Sequence, residues 1–261
     1  MVLLEILMNK RVARITINLA VFWGWASLLV FLIFLVIGPM SPLNLGLGPR
    51  PLLWFDAGLS LLFFVQHSVM IRRSFRRLAA RLMPEYYVGA LYTVASAVVL
   101  LVVVALWQES EVVIVSAKGI ARWLVRAVPL VAIAGFVWGV RSLGSFDAFG
   151  VGPIVNRLKG RDPRLMPLSV AGPYRWVRHP LYLFMILLIW AYPNLTADRL
   201  LFNILWTAWI VVGTVLEERD LVAEFGDSYR RYQKRVPMLV PYRVPGGDAG
   251  GDAIRHRRKD S

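Results

Sequence analysis

The residues in this chain that could do chemistry fall in three short stretches. Arg175, Arg178 and His179 stand directly before an apolar run in GPYRWVRHPLY, residues 172–182, with Tyr174 and Tyr182 on either side. Glu217 and Glu218 close a later apolar run, and His67 lies near the end of an earlier one, in FFVQHS. A histidine titrates near neutrality and can take or give a proton, carboxylates hold cations, and arginines hold carboxylates. Each group also has a structural reading. His67 could be a hydrogen-bonded interior histidine, the arginines a mark of membrane sidedness, and the glutamates a helix end. Carboxylates are unfavourable at the C-terminal end of a helix, so the helix is expected to run on past them. Leu216, Leu221, Val222, Phe225, Tyr229 and Tyr232 recur at near-helical spacing, as an amphipathic helix on the membrane surface requires.

The elements that must position these groups are membrane helices. Of the 261 residues, 57% are hydrophobic, and the mean hydropathy is +0.58, well above ordinary soluble composition. Apolar runs fall at 15–37, 52–71, 88–107, 120–140, 180–193 and 200–216. A spanning helix needs roughly 20 residues, so the first four runs suffice, and the first reads as a retained anchor rather than a cleaved signal. The last two, separated only by NLTADR, read as a short helical hairpin. The fold expected is all-α, a polytopic transmembrane helical protein of about six spans. Arginines and lysines before run one, after run two and after run four place both termini in the cytoplasm. This topology brings the inner end of run two, with His67, to the same side as the start of run five at His179. The end of run six, with Glu217 and Glu218, returns there too, so ionisable groups at membrane depth converge on one site.

The formal net charge of +14 points in an apolar chain to anionic lipid and cytoplasmic loops, not to nucleic acid. With no cysteine there is no disulfide, thiolate metal site, iron–sulfur cluster or cysteine nucleophile, and no metal is expected. The Rossmann, P-loop, His-Glu-x-x-His and Gly-x-Ser-x-Gly patterns are all missing, so any nucleotide-like cofactor is held in another way. Residues 243–261, with GGDAGGD and then RHRRKD, read as a disordered basic tail.

GPYRWVRHPLY, followed by EERDLVAEFGDSYRRYQKRVPMLVP at 217–241, resembles the paired signature of the membrane methyltransferases related to isoprenylcysteine carboxyl methyltransferase. FFVQHSVMIRRSFRR (63–77), with SLGSFDAFG (142–150), is similar to the nurim family, which includes bacterial methanethiol S-methyltransferases. The resemblance implies S-adenosyl-L-methionine as cofactor and a bacterial inner membrane as location. Carried over by position, Tyr174, His179, Pro180, Leu181 and Tyr182 would line the cofactor pocket, and Glu217 would make a polar contact to the cofactor. The carboxyl methyltransferases place a substrate-binding arginine four residues before that glutamate, where this chain has Gly213. A carboxylate acceptor is therefore disfavoured.

The cofactor's cationic groups would suit Glu217 or Glu218 and the faces of Tyr174, Tyr182 or Trp176, and its carboxylate Arg175 or Arg178. His67 is the candidate base for a thiol acceptor, since the thiolate is the nucleophile. The expected protein is a single transmembrane methyltransferase domain over residues 1–242, with its cofactor-binding half at 141–242. Its acceptor is a small thiol such as methanethiol, or otherwise a lipophilic one such as an isoprenylcysteine or membrane lipid. A nurim-like membrane protein without turnover is the reading from another class.

Overall fold

Proline sets the start of several helices: it occupies the first turn of α2, Pro49–Ile71, α6, Gly152–Leu158, and α7, Pro180–Trp190, where a helix has no internal partner for the missing N–H. The computed structural model describes residues 10–40, 42–144, 146–161 and 168–243. Within them the other helices are α1, Lys10–Ile37, α3, Arg73–Ala79, α4, Val88–Leu106, and α5, Gly119–Ser142. They are followed by α8, Ala197–Phe225, and α9, Asp227–Arg235. One 3-10 turn, Glu85–Tyr87, leads into α4, and another, Gly172–Arg175, precedes α7. Strands β1, Val113–Ser116, and β2, Asn194–Thr196, form a two-stranded sheet. The expected basic tail beyond Arg243, and residues 162–167 of the expected cofactor half, lie outside the described residues.

Among the described residues five helices are long and apolar enough to cross a membrane: α1, α2, α4 with its leading turn, α5 and α8. The all-helical, multi-pass reading therefore holds, and the protein is an integral membrane protein. The expected short hairpin is uneven. Its first arm, α7, has 11 residues, too few for the roughly 20 that a span needs. Its second, α8, has 29. At about 1.5 Å per residue α8 outruns the roughly 30 Å hydrocarbon core, so it carries its last turns, with Glu217 and Glu218, toward the interface. It stops at Gly226, whose φ of +56° is left-handed and open to glycine. The amphipathic helix expected through Tyr232 is thus two helices. Their apolar face, Leu221, Val222, Phe225, Tyr229 and Tyr232, packs with Val236 on Leu168 and Val170 instead of lying on lipid.

The chain divides into two compact units. The first comprises Met1–Val115, Asp147–Arg164 and Asn194–Phe202. In it α4 crosses the loop before α6 at Gly89 and Gly150, where a Cβ on Gly89 would stand 2.7 Å from the Gly150 carbonyl oxygen. Thr93 Oγ1 donates to the Phe149 carbonyl at 2.8 Å and fixes the crossing. A buried polar cluster joins the helix ends. Asp198 accepts from Trp107 Nε1 at 3.1 Å and from the Ser110 N–H at 3.0 Å, and Asp56 from the Gln108 N–H at 3.0 Å. Arg199 donates to the carbonyls of Phe34 and Leu35 at 3.2 and 2.8 Å at the end of α1, where the Phe34 carbonyl also accepts from the Gly38 N–H. The sequence presents Asp198 and Arg199 as a charged hairpin loop; both are fully buried.

The second unit comprises Ser116–Phe146, Leu165–Pro193 and Asn203–Ser261. Here α5 lies against α7 through two glycines, the small-residue packing by which membrane helices approach closely. Gly139 lies under Leu181, whose Cδ2 would be 2.6 Å from an added Cβ, and Gly135 lies under the ring of Phe184. Gly135→Ala is therefore expected to destabilise the folded protein by about 1–3 kcal/mol through overpacking. Gly213→Ala, where a Cβ meets nothing within 4 Å, should not. Thermal unfolding of the two variants in detergent, followed by tryptophan fluorescence, checks the difference.

Candidate functional site

The site is built on a short non-helical entry to α7. Gly172, at φ +55°, turns the chain close against Trp138 and Ser142, and Pro173 opens the 3-10 turn that carries Tyr174 and Arg175. Residues 178 and 179 then run alongside the segment after α9: the Arg178 N–H donates to the Pro237 carbonyl at 2.8 Å and the His179 N–H to that of Met238 at 3.1 Å. His179 is the N-cap of α7 and Pro180 its first residue, so the ring of His179 and that of Tyr182 come to one face. They stack nearly parallel, 2° apart, with centroids 5.5 Å from each other.

Glu217 and Glu218 are consecutive on α8 and so diverge by about 100° around the helix. Their surroundings differ accordingly. Glu218 receives a two-pronged contact from Arg178, Nε to Oε1 at 2.6 Å and Nη2 to Oε2 at 2.9 Å. It also accepts from His179 Nε2 at 3.1 Å, Tyr229 Oη at 3.2 Å and Gln233 Nε2 at 2.9 Å. A carboxylate only accepts, so His179 carries its proton on Nε2. The remaining Arg178 donor, Nη1, goes to the carbonyls of Gln233 and Val236. The side chains of Arg178 and Glu218 are 9% and 11% exposed, so every polar atom of this pair works in a nearly dry setting.

Glu217 is different: its side chain is 43% exposed. It accepts one hydrogen bond, from Tyr182 Oη at 2.6 Å, with His179 Nδ1 at 3.7 Å. Arg175 Nε, by contrast, is buried and has no hydrogen-bond partner among the described residues. Tyr174 is buried, and its carbonyl accepts from Tyr232 Oη at 2.6 Å. Burial, with the Glu217 charge added, pushes the Tyr174 phenol up to about 12. Burial chiefly, and neighbouring charge and phenol second, raise Tyr229 and Tyr232 as well, so all three rings are neutral donors near neutral pH.

The structure thus brings Tyr174, Arg178, His179, Tyr182, Glu217 and Glu218 into one cluster, with Pro180 and Leu181 forming the first turn of α7 behind it. His67 belongs to the first unit. Its ring nitrogens lie 2.7 Å (Nε2) and 3.1 Å (Nδ1) from Tyr92 Oη, and its ring packs against Phe63. Tyr229, Tyr232 and Gln233 are the residues sequence reasoning left without a polar role. Their spacing after Glu218, roughly three to four helical turns along the same face of a continuous pattern, was the available sign.

The class that fold and cluster define is a helical membrane protein whose Arg-His-Pro turn faces two adjacent carboxylates. The chain belongs to the NnrU protein family, whose pattern matches residues 57–241. It is 37% identical to methanethiol S-methyltransferase 2 of Bradyrhizobium diazoefficiens over 205 residues, 77% of this chain and 76% of that one. It is 34% identical to a methanethiol S-methyltransferase of a Pseudomonas species over 224 residues, 82% and 84% of the two chains. Nurim of Rattus norvegicus is 29% identical over 217 residues, 75% of each chain. No solved structure matches. The resemblance to nurim and the methanethiol S-methyltransferases is borne out by these relatives.

Proposed function

We propose that the protein is an integral membrane methyltransferase that uses S-adenosylmethionine to methylate a small thiol, with methanethiol the preferred acceptor. The observation that carries the reading is the division of labour within the cluster. Beside a saturated Arg178–Glu218 pair stands a half-exposed carboxylate with one hydrogen bond, and three residues before Arg178 a buried guanidinium nitrogen has no hydrogen-bond partner among the described residues. The relatives named methanethiol S-methyltransferase supply the acceptor class.

The residues fit the cofactor's charges. When bound, S-adenosylmethionine supplies a methyl group on a positively charged sulfur, next to an ammonium and a carboxylate. Glu217 would hold positive charge, helped by the faces of Tyr174 and Tyr182. Arg175 would take the carboxylate with its free Nε. Arg178 and Glu218, expected from sequence to touch the cofactor, also hold the turn and α9 together. His179, donating to Glu218 and stacked on Tyr182, fixes the ring that donates to Glu217.

The acceptor must lose its proton before its sulfur attacks, because the thiolate is the nucleophile. His67 is the base we assign: with its N–H donating to Tyr92 Oη, its other ring nitrogen is the acceptor that a base needs. Gly213 stands where the carboxyl methyltransferases resembled here have an arginine, and the space beside it is open, which favours an acceptor without a carboxylate. The location that accompanies this reading is the bacterial inner membrane.

The test is product identification. Purified protein with methyl-labelled S-adenosylmethionine is offered methanethiol, larger thiols, isoprenyl cysteines and lipid extract. Label should appear in dimethyl sulfide; label in an isoprenyl ester or a lipid would overturn the acceptor. A failure to bind the cofactor at all would leave the nurim-like reading. In the same titration, Arg175→Gln should weaken cofactor binding about tenfold or more, the worth of a hydrogen bond to a charged group.

A further inference from the structure

We propose that a shallow, open cleft on α2, lined in part by Arg72, binds the phosphate-bearing head of an anionic membrane phospholipid. The cleft has a volume of about 360 Å³ and is lined by Phe64, Val65, Ser68, Val69 and Arg72. That places three apolar side chains and a hydroxyl in line with a single cation, on a surface of a helix long and apolar enough to span a membrane. The volume is at the lower end of the roughly 300–1,000 Å³ of small-molecule sites, room for a headgroup and the start of its chains rather than for a whole lipid.

The charge around it has one sign. Arg72 caps the end of α2 in extended conformation, and α3 begins at once with Arg73 and continues through Arg76 and Arg77 to Arg81 beyond its end. Among the described residues Arg76 alone of these has a carboxylate within ion-pair distance, Glu85 at 3.6 Å, and both of those side chains are exposed. Leu78 and Leu82 are exposed among the arginines. Such a mixture of free cations and bare leucines, immediately beyond a spanning helix, matches the boundary between anionic headgroups and acyl chains. A soluble anion would use the arginines and waste the apolar wall. Bare hydrocarbon would use the wall and leave Arg72 unpaired. A phospholipid with net negative charge uses both.

The experiment takes the full chain in neutral detergent and counts bound lipid by native mass spectrometry during titration with phosphatidylglycerol and, separately, with phosphatidylcholine. Phosphatidylglycerol should bind more tightly. Arg72→Gln should weaken it about fivefold, the attraction of one basic side chain to an anionic surface, and leave phosphatidylcholine unchanged. Arg230→Gln, which removes the same charge from an exposed position on α9, should change neither. Val69→Asp, which sets a carboxylate in the apolar wall, should expel the lipid too and covers the case of an unfolded Arg72→Gln protein. Equal binding of the two lipids, or wild-type affinity in both cleft variants, would overturn the proposal. So would an equal loss in Arg230→Gln, which would mean diffuse charge. Displacement of the lipid by inorganic phosphate alone would mean a plain anion site.

Discussion

Glu218→Ala is expected to cost about 3–5 kcal/mol of stability, because it strands the guanidinium of Arg178 in a nearly dry setting without its counter-charge. The loss is not confined to the ion pair. His179 Nε2, Tyr229 Oη and Gln233 Nε2 all donate to the same carboxylate and would lose their acceptor together. Each donor stranded in a buried position adds about 1–3 kcal/mol, though relaxation and shared geometry keep such terms from adding fully. Glu218→Gln should be milder, since the amide still accepts through one oxygen while placing its nitrogen against Arg178. The double change Arg178→Met with Glu218→Leu should recover part of the loss, as buried pairs often tolerate apolar replacement. The chain has no cysteine for a thiol-reactive dye, so the unfolding midpoint is best followed through its 10 tryptophans. A Glu218→Ala protein that unfolds at the wild-type midpoint would mean that the pair does not staple the turn before α7 to α8.

That prediction also marks where sequence reading stops. Six apolar runs, the distribution of arginines, and the pairing of GPYRWVRHPLY with the stretch from Glu217 were all legible, because hydropathy and motif spacing are local properties. Five of the six expected runs, the first to fourth and the sixth, become helices of spanning length among the described residues, and only the fifth falls short. The roles within the motif were not legible. Arg175 and Arg178 are the same residue type one helical turn apart, as Glu217 and Glu218 are one residue apart. What separates them is the side of the chain each faces, and that depends on where residues 229–238 return. Asp198 and Arg199 show the same limit. In sequence they are charges in a short loop; in the fold they cap helix ends from inside the first unit, Arg199 on the carbonyls of Phe34 and Leu35 and Asp198 on the Trp107 indole. The break at Gly226 was hidden as well, since a glycine inside an amphipathic pattern reads as tolerable until its φ is known.

Glu217→Ala is expected to do the opposite of its neighbour: to leave the fold intact and remove cofactor binding. Its side chain is 43% exposed and holds one hydrogen bond, from Tyr182. The tyrosine hydroxyl can turn to water, so the stability change should stay within about 0.5 kcal/mol, as for other exposed positions. The binding change should be large. A charge-assisted contact is worth about 1.5–3 kcal/mol, a factor of roughly 10 to 100 in affinity, and the carboxylate also offsets the positive sulfur and ammonium. Glu217→Gln separates those parts, because it keeps an acceptor for Tyr182 and loses only the charge. If the charge matters, Glu217→Gln should bind S-adenosylmethionine nearly as poorly as Glu217→Ala. If it merely positions Tyr182, then Glu217→Gln should bind like wild type, and Tyr182→Phe should reproduce the alanine defect. Calorimetric titration in detergent, with unfolding midpoints measured on the same samples, distinguishes the two. Wild-type affinity in Glu217→Ala would remove this carboxylate from the binding site, whatever the protein methylates.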